Sequence, residues 1–214
     1  MGKQGMMSSG AALAGYVQAG GASSRFGSDK ALVELDGKPV LLRVTALVAS
    51  ITGSASVVAP AGRYEGLGVN VVPDRWPGAG PLGGIVTALL HTAETDPACP
   101  WNLIVGCDLP FLTVEWLAFL ADCAQRSAAH VLLPLSSEGP EPLCACYRTS
   151  AAPALQAALA AGERKIQRAM ATLAVETLDE SRWKRFDSAG RLFLNMNTPA
   201  DLQRIRTPGE EGKS

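Results

Sequence analysis

The residues best suited to chemistry lie in one short stretch, QAGGASSRFGSDKALVELDGKP, residues 18–39. Ala19, Gly20 and Gly21 are small enough for backbone N–H groups to approach a phosphate closely, and Arg25 and Lys30 add fixed positive charge suited to a triphosphate. The spacing excludes two common nucleotide motifs. It lacks the three glycines of G-x-G-x-x-G, and Lys30 follows Ser28-Asp29 instead of closing a G-K-[ST] loop. Two glycines after a strand can be no more than a turn. The phosphate reading rests on Arg25, Gly27 and Lys30 following them in register.

Two aspartates stand in comparable settings. Asp108 follows the apolar run 101–105 and precedes Pro110, where a carboxylate suits magnesium as a hard oxygen ligand but equally suits a turn or cap. Asp74, the second residue of the turn-rich PDRWPGAGPLGG, stands before its Pro/Gly-rich turn and carries the same alternative. Asn195 and Asn197 lie at a strand-to-helix junction, where asparagine also satisfies backbone groups. His91 and His130, the two histidines, show no metal-ligand spacing. Ser23 and Ser24 do not form the G-x-S-x-G elbow of a hydrolase. Trp76, Trp101, Trp116 and Trp183 form no stacking stripe for single-stranded nucleic acid and read as core, with Trp76 a cleft-lining exception.

These side chains need a scaffold. At 214 residues, 47% hydrophobic and 18% charged, the chain can bury a substantial core in one domain without disulfide or metal support. Short apolar runs alternate with segments of helical period, which predicts an α/β domain with a largely parallel sheet. Strands are predicted at 12–18, 56–59, 69–72 and 101–105, with two more at HVLLPL and LCACY and a last one at FLNMN, residues 193–197. One helix is predicted from Pro39 as its first residue, with Val40, Leu41, Val44, Leu47 and Val48 on its buried face. A short helix carries Ile85, Leu89 and Thr92. Another opens near Thr113 with Val114, Leu117, Leu120 and Ala124 inward. An Ala-rich helix stops at Gly162, and a terminal helix has Thr198 as N-cap, Pro199 first and Asp201 at the capping-box position. The glycine loop, Asp74 and Asp108 then all fall beyond the carboxyl ends of strands, where open α/β sheets bind ligands.

Nineteen basic residues nearly cancel twenty acidic ones, so no net field favours nucleic acid or a membrane surface. No run reaches the ~18 apolar residues of a membrane span. Five cysteines without a C-x-x-C pair read as reduced and mostly buried, and predict a cytoplasmic protein. Residues 1–11 read as a flexible extension, 12–206 as a single domain and 207–214 as a flexible tail.

AGGASSRFGSDKAL resembles the signature of the molybdenum cofactor guanylyltransferases, within the wider group of sugar-nucleotide-type pyrophosphorylases. Four more segments agree in order and spacing: VVPDRWPGAGPLGGI, VGCDLPFL, EPLCACY and FLNMNTPADL. The resemblance covers about residues 12–206. It implies a three-layer, Rossmann-like nucleotidyltransferase fold, GTP as donor, Mg2+ as metal, molybdopterin or Mo-molybdopterin as acceptor and pyrophosphate as by-product. Any contact with cofactor-biosynthesis or acceptor proteins would be transient. Carried onto this sequence, it assigns Ala19 to Gly21 to guanine and phosphates, Arg25 and Lys30 to the leaving pyrophosphate, and Asp74 with Gly80, Pro81 and Leu82 to the nucleoside. Asp108 would hold magnesium. Asn195 and Asn197 would line the same cleft, nearer the metal and acceptor, and Arg164 and Lys165 would meet the acceptor's phosphate. Gln18 departs from the resemblance, which places an apolar residue there, and bears on base recognition.

The reaction so implied is an in-line displacement at the α-phosphorus of GTP by an already anionic phosphate oxygen, so catalysis requires alignment and charge neutralisation. The rival readings are a cytidylyltransferase for the same pterin and a catalytically silent nucleotide-binding protein. Ala-Gly-Gly in the first loop and Gly80-Pro81-Leu82-Gly83-Gly84 favour guanine; Lys30 and Asp108 favour an enzyme.

Overall fold

A computed structural model describes residues 12–20 and 29–196. The predicted extension, tail and terminal helix lie outside these residues, as do Gly21, Arg25 and Asn197. In chain order the strands are β1 (Leu13–Gln18), β2 (Glu34–Leu35), β3 (Lys38–Pro39), β4 (Ala55–Ala59), β5 (Asn70–Pro73), β6 (Trp101–Gly106), β7 (Val131–Ser136), β8 (Gly139–Pro140), β9 (Cys144–Arg148) and β10 (Val175–Leu178). The helices are α1 (Val40–Thr52), α2 (Pro81–Thr95), α3 (Val114–Arg126), α4 (Ala152–Ala160), α5 (Ile166–Ala169) and α6 (Glu180–Trp183).

The main sheet runs β10-β7-β9-β6-β1-β4-β5, with β8 attached to β7. Its pairings are parallel except where β9 meets β6 and β7 and where β8 meets β7. Both faces are covered, so alternate side chains of one strand enter different cores. From β1, Leu13 and Val17 pack with Val40, Leu41, Val44 and Val48 of α1 and with Trp116, Leu117 and Leu120 of α3. Tyr16 points the other way, into a cluster with Leu82, Ile85, Val86 and Leu89 of α2 and Leu155 and Leu159 of α4. This produces three layers. Gly15 permits the close approach of α1, because a Cβ there would stand 2.3 Å from Thr52 Oγ1 and 2.9 Å from Ser54 O.

Several predicted boundaries move for local reasons. Pro39 is extended, with ψ 136°, and belongs to the β2-β3 hairpin, so α1 starts one residue later. Asp36 and Gly37, both with positive φ, make the two-residue turn of that hairpin, a conformation an Asp-Gly pair favours. The supposedly short second helix is the fifteen-residue α2. It begins within the Pro/Gly-rich segment because Gly80 turns the chain at φ +70° and Pro81 suits the first helical turn. The helix predicted near Thr113 is α3, which Thr113 caps by accepting from Trp116 N, but Val114 is exposed, not inward. Residues 193–196 form no strand: Met196 N instead donates to Asp108 O at 2.9 Å. All five cysteines are free and buried. Among the described residues no helix is long and apolar enough to cross a membrane.

Candidate active site

After β1 the chain builds β4 and β5 on one side, then places β6 on the other. The crevice at this reversal is where open α/β sheets receive ligands. Backbone bonds carry order past the strand ends into the loops. Ala19 N donates to Val58 O at 2.9 Å, Cys107 N to Gln18 O at 3.0 Å, and Asp74 N to Ala59 O at 2.8 Å. Ala19, Gly20, Asp74 and Asp108 thus share one edge of the sheet.

Lys30 and Asp108, 78 positions apart in sequence, meet across the crevice with Nζ 2.7 Å from Oδ2. Both side chains are about four-fifths buried. Asp108 is held from two sides. Its carbonyl accepts from Met196 N, and its carboxylate rests where Gly106 has no side chain: a Cβ at 106 would stand 2.6 Å from Oδ1. Cys107, between them, is no nucleophile, because burial first and the Asp108 charge second, with Lys30 opposing, push its thiol up to about 12.

On the β4-β5 side of β1 lies a cavity of about 370 Å³, lined by Gly20, Arg63, Asp74, Gly78 and Gly80 among others. Asp74 Oδ1 accepts from Trp76 N at 2.9 Å and lies 3.2 Å from Thr87 Oγ1. The carboxylate is therefore fixed at the mouth of the turn. Pro81 opens α2 beside this cavity. Leu82 is fully buried, so its side chain contributes packing beneath the turn rather than a surface for a ligand. Gln18 also turns inward. Its amide lies against Gly84 and donates to Pro81 O at 3.2 Å, while Oε1 is buried without a partner among the described residues.

A second cavity, of about 430 Å³, opens at the carboxyl end of β7 and is lined by Ser136, Glu138, Trp183, Phe193 and Asn195 among others. Asn195 therefore faces a space separate from the first cavity. Arg164 donates to Leu159 O at 3.1 Å and to Glu163 O at 2.8 Å, capping the carbonyl end of α4. Glu163 Oε1 accepts from Lys165 N at 2.7 Å. These bonds stay within 159–165 and bring neither Arg164 nor Lys165 to the Lys30–Asp108 pair.

Sequence reasoning passed over three residues here. Glu141, inside the EPLCACY segment, accepts from Ser136 Oγ at 2.6 Å, and burial followed by the charges of Asp108 and Glu138 raises its carboxyl against that hydrogen bond. Its position within a recognised segment was the available signal. Arg63 and Tyr64 converge on Asp29, and nothing in AGRYEGLG marks that contact in advance.

As a carrier of a divalent cation, the crevice offers the carboxylate of Asp108. No group of three or more His, Cys, Asp or Glu able to hold a metal occurs among the described residues. A site with one carboxylate fits a cation that completes its shell with water and substrate phosphates, as magnesium does.

Comparison with known proteins gives a consistent result. The family described as the MobA-like NTP transferase domain matches residues 15–177. A protein of Deinococcus radiodurans named "Probable molybdenum cofactor guanylyltransferase" is 39% identical over 204 residues, covering 93% of this chain and 96% of its own. One of the same name from Chloroflexus aggregans is 35% identical, covering 91% and 93%. The crystal structure of molybdopterin-guanine dinucleotide biosynthesis protein A from Archaeoglobus fulgidus superimposes with a TM-score of 0.75 at 29% identity, covering 89% of this chain and 95% of that one.

Proposed function

From its membership of the MobA-like NTP transferase family, to which the chain belongs, we propose that it transfers GMP from GTP to the phosphate of molybdopterin, forming the guanine dinucleotide cofactor and releasing pyrophosphate. The observation that carries this reading is the Lys30–Asp108 pair at the reversal of the sheet. It sets a cation and a hard oxygen donor 2.7 Å apart beside the cavity of Gly20 and Asp74.

In this reading the nucleoside occupies that cavity. Asp74 and the backbone around Gly80 and Pro81 orient it, and the Ala19–Gly21 backbone approaches its phosphates. Lys30 and Arg25 offset the charge that builds on pyrophosphate as the bond to the α-phosphorus breaks. The attacking oxygen belongs to the acceptor's phosphate and is already anionic, so no side chain need remove a proton. The chain's own work is to align donor and acceptor, a role in which entropy and orientation supply much of the acceleration. Asp108 would hold Mg2+ together with phosphate oxygens, and the ion supplies charge neutralisation when bound. Asn195, Asn197, Arg164 and Lys165 are assigned to the acceptor side, the first of them supported by its place in the second cavity. Five buried, unpaired thiols support a cytoplasmic setting.

The test is transfer by purified protein with molybdopterin, Mg2+ and GTP, CTP or ATP at equal concentration, followed by pyrophosphate release. GTP is expected to be preferred, because each buried group that a wrong base leaves unpaired costs ~1–3 kcal/mol. Asp108→Ala is expected to lower the rate by ~10²–10³ or more with the circular dichroism unchanged. Equal or better use of CTP would sink the guanine assignment, and near-normal turnover by the variant would return Asp108 to a turn role.

A further inference from the structure

Lys30 stands directly after Asp29, and Asp29 is gripped from a distant part of the chain. As N-cap of the turn Lys30–Leu32, Asp29 accepts from Ala31 N through Oδ1 at 3.1 Å. The same carboxylate receives two side chains from the β4-β5 connection. Tyr64 OH lies 2.9 Å from Oδ2 and 3.1 Å from Oδ1, and Arg63 Nη2 lies 2.9 Å from Oδ2. Tyr64 does this from φ +63°, a left-handed conformation that bulky side chains rarely adopt, although glycines stand at 62, 66 and 68 on either side of it. Such a conformation persists where surrounding contacts over-determine it, and it is concentrated at functional sites. Here the contacts are the hydroxyl on Asp29 and a ring buried in the same core cluster as Ala31.

We propose that Tyr64 is a positioning residue for Lys30: through Asp29 it clamps the turn from which Lys30 reaches Asp108 and the donor's phosphates. The inference rests on the GMP-transfer reading. Arg63 supplements the clamp, but its side chain is 43% exposed, and an exposed ion pair contributes little on its own. Tyr64 as a residue is buried, and its hydroxyl meets a carboxylate that is only 17% exposed. Arg63 also lines the cavity assigned to the nucleoside, so the clamp adjoins both ends of the donor site.

The experiment compares wild type, Tyr64→Phe, Asp29→Asn and the double variant, with Lys30→Ala as reference, in GMP transfer from GTP to molybdopterin. Removing only the hydroxyl is expected to lower kcat about tenfold or more, the scale of one hydrogen bond to a charged group. KM for GTP should stay within about threefold, because the nucleoside contacts are untouched. In the Asp29→Asn background the same substitution should cost less, because the amide keeps one acceptor oxygen for Tyr64 but loses the charge that strengthens the bond. Amide hydrogen exchange at residues 31–33 should quicken in Tyr64→Phe. A kcat within about twofold of wild type, an equal loss in both backgrounds, or unchanged exchange would each overturn the proposal. If Tyr64→Phe does not fold, Asp29→Asn decides: full kcat overturns the clamp, and a loss in kcat with KM retained supports it. A wild-type protein that transfers no GMP would instead sink the transfer reading, and the exchange measurement would still decide the clamp.

Discussion

Gln18→Leu removes a buried amide at the edge of the proposed donor site. Gln18 ends β1, and its backbone carbonyl accepts from Cys107 N, a contact the substitution leaves intact. The side chain lies so close to α2 that a Cβ on Gly84 would stand 2.2 Å from Nε2. Nε2 donates to Pro81 O at 3.2 Å, at the long end of the range, and Oε1 has no partner among the described residues. An unsatisfied buried acceptor costs ~1–3 kcal/mol, while the bond to Pro81 contributes ~0.5–1.5 kcal/mol. Pro81 O remains placed to accept from the amide four residues on in α2, so its loss of the side chain orphans nothing. The net expectation is a stabilisation of ~0.5–2 kcal/mol, or about 1–8 °C in the thermal midpoint for a chain of this length. Because the side chain points into the core, kcat/KM for GTP should stay within about tenfold of wild type. Thermal melts followed by circular dichroism, with steady-state transfer on the same preparations, measure both. A fall of several degrees would show that Oε1 has a partner, such as an ordered water, in solution. A hundredfold loss in kcat/KM at unchanged midpoint would show that Gln18 reads the nucleotide directly.

Gly106→Ala should leave the strand intact, since Gly106 does not have a positive φ, but its Cβ would fall 2.6 Å from Asp108 Oδ1 and displace the carboxylate. A misplacement of this size is expected to lower transfer by ~10–10²-fold, and activity within threefold of wild type would refute the fit of Gly106 to Asp108. Burial lowers the His91 imidazole below its ordinary 6.5, with Glu94 opposing and Arg75 assisting. The unfolded chain therefore takes up this proton first, so His91's share of stability is complete above about pH 6.5 and is lost as pH falls below it. The thermal midpoint should drop less between pH 7.5 and 5.5 in His91→Gln than in wild type, and equal drops would remove His91 from the account.

The layers of the fold were legible because burial on both faces of a parallel sheet leaves a local trace. WNLIV reads as a strand and every residue of it is buried, and Val40, Leu41, Val44 and Val48 recur at helical spacing because one side of α1 meets the sheet. Residues 193–196 misled for the complementary reason. Their apolar content answers to the core around Trp116 and Trp183, where the Phe193 ring packs, while their backbone is recruited by Asp108. The β10 strand, VETL, has three of its four residues incompletely buried and escaped notice, because pairing along β7 defines it more than any pattern of its own.

The same division holds for the site. Residue types alone pointed to phosphate and a hard cation as the ligands to expect: glycines for close backbone approach, Lys30 for charge and Asp108 for oxygen ligation, placed after strands that the apolar pattern locates. The meeting of Lys30 with Asp108, the space that Gly106 leaves for that carboxylate, the inward turn of Gln18 and the hold of Tyr64 on Asp29 were decided by tertiary structure alone. Each is a contact between segments 35 to 78 positions apart, or a question of how a side chain is placed at a strand end, where period and propensity no longer constrain it. Chemistry is carried by residue identity, which a chain displays along its length; geometry comes from which strand lies beside which, and that is fixed only when the sheet closes its cores on both faces.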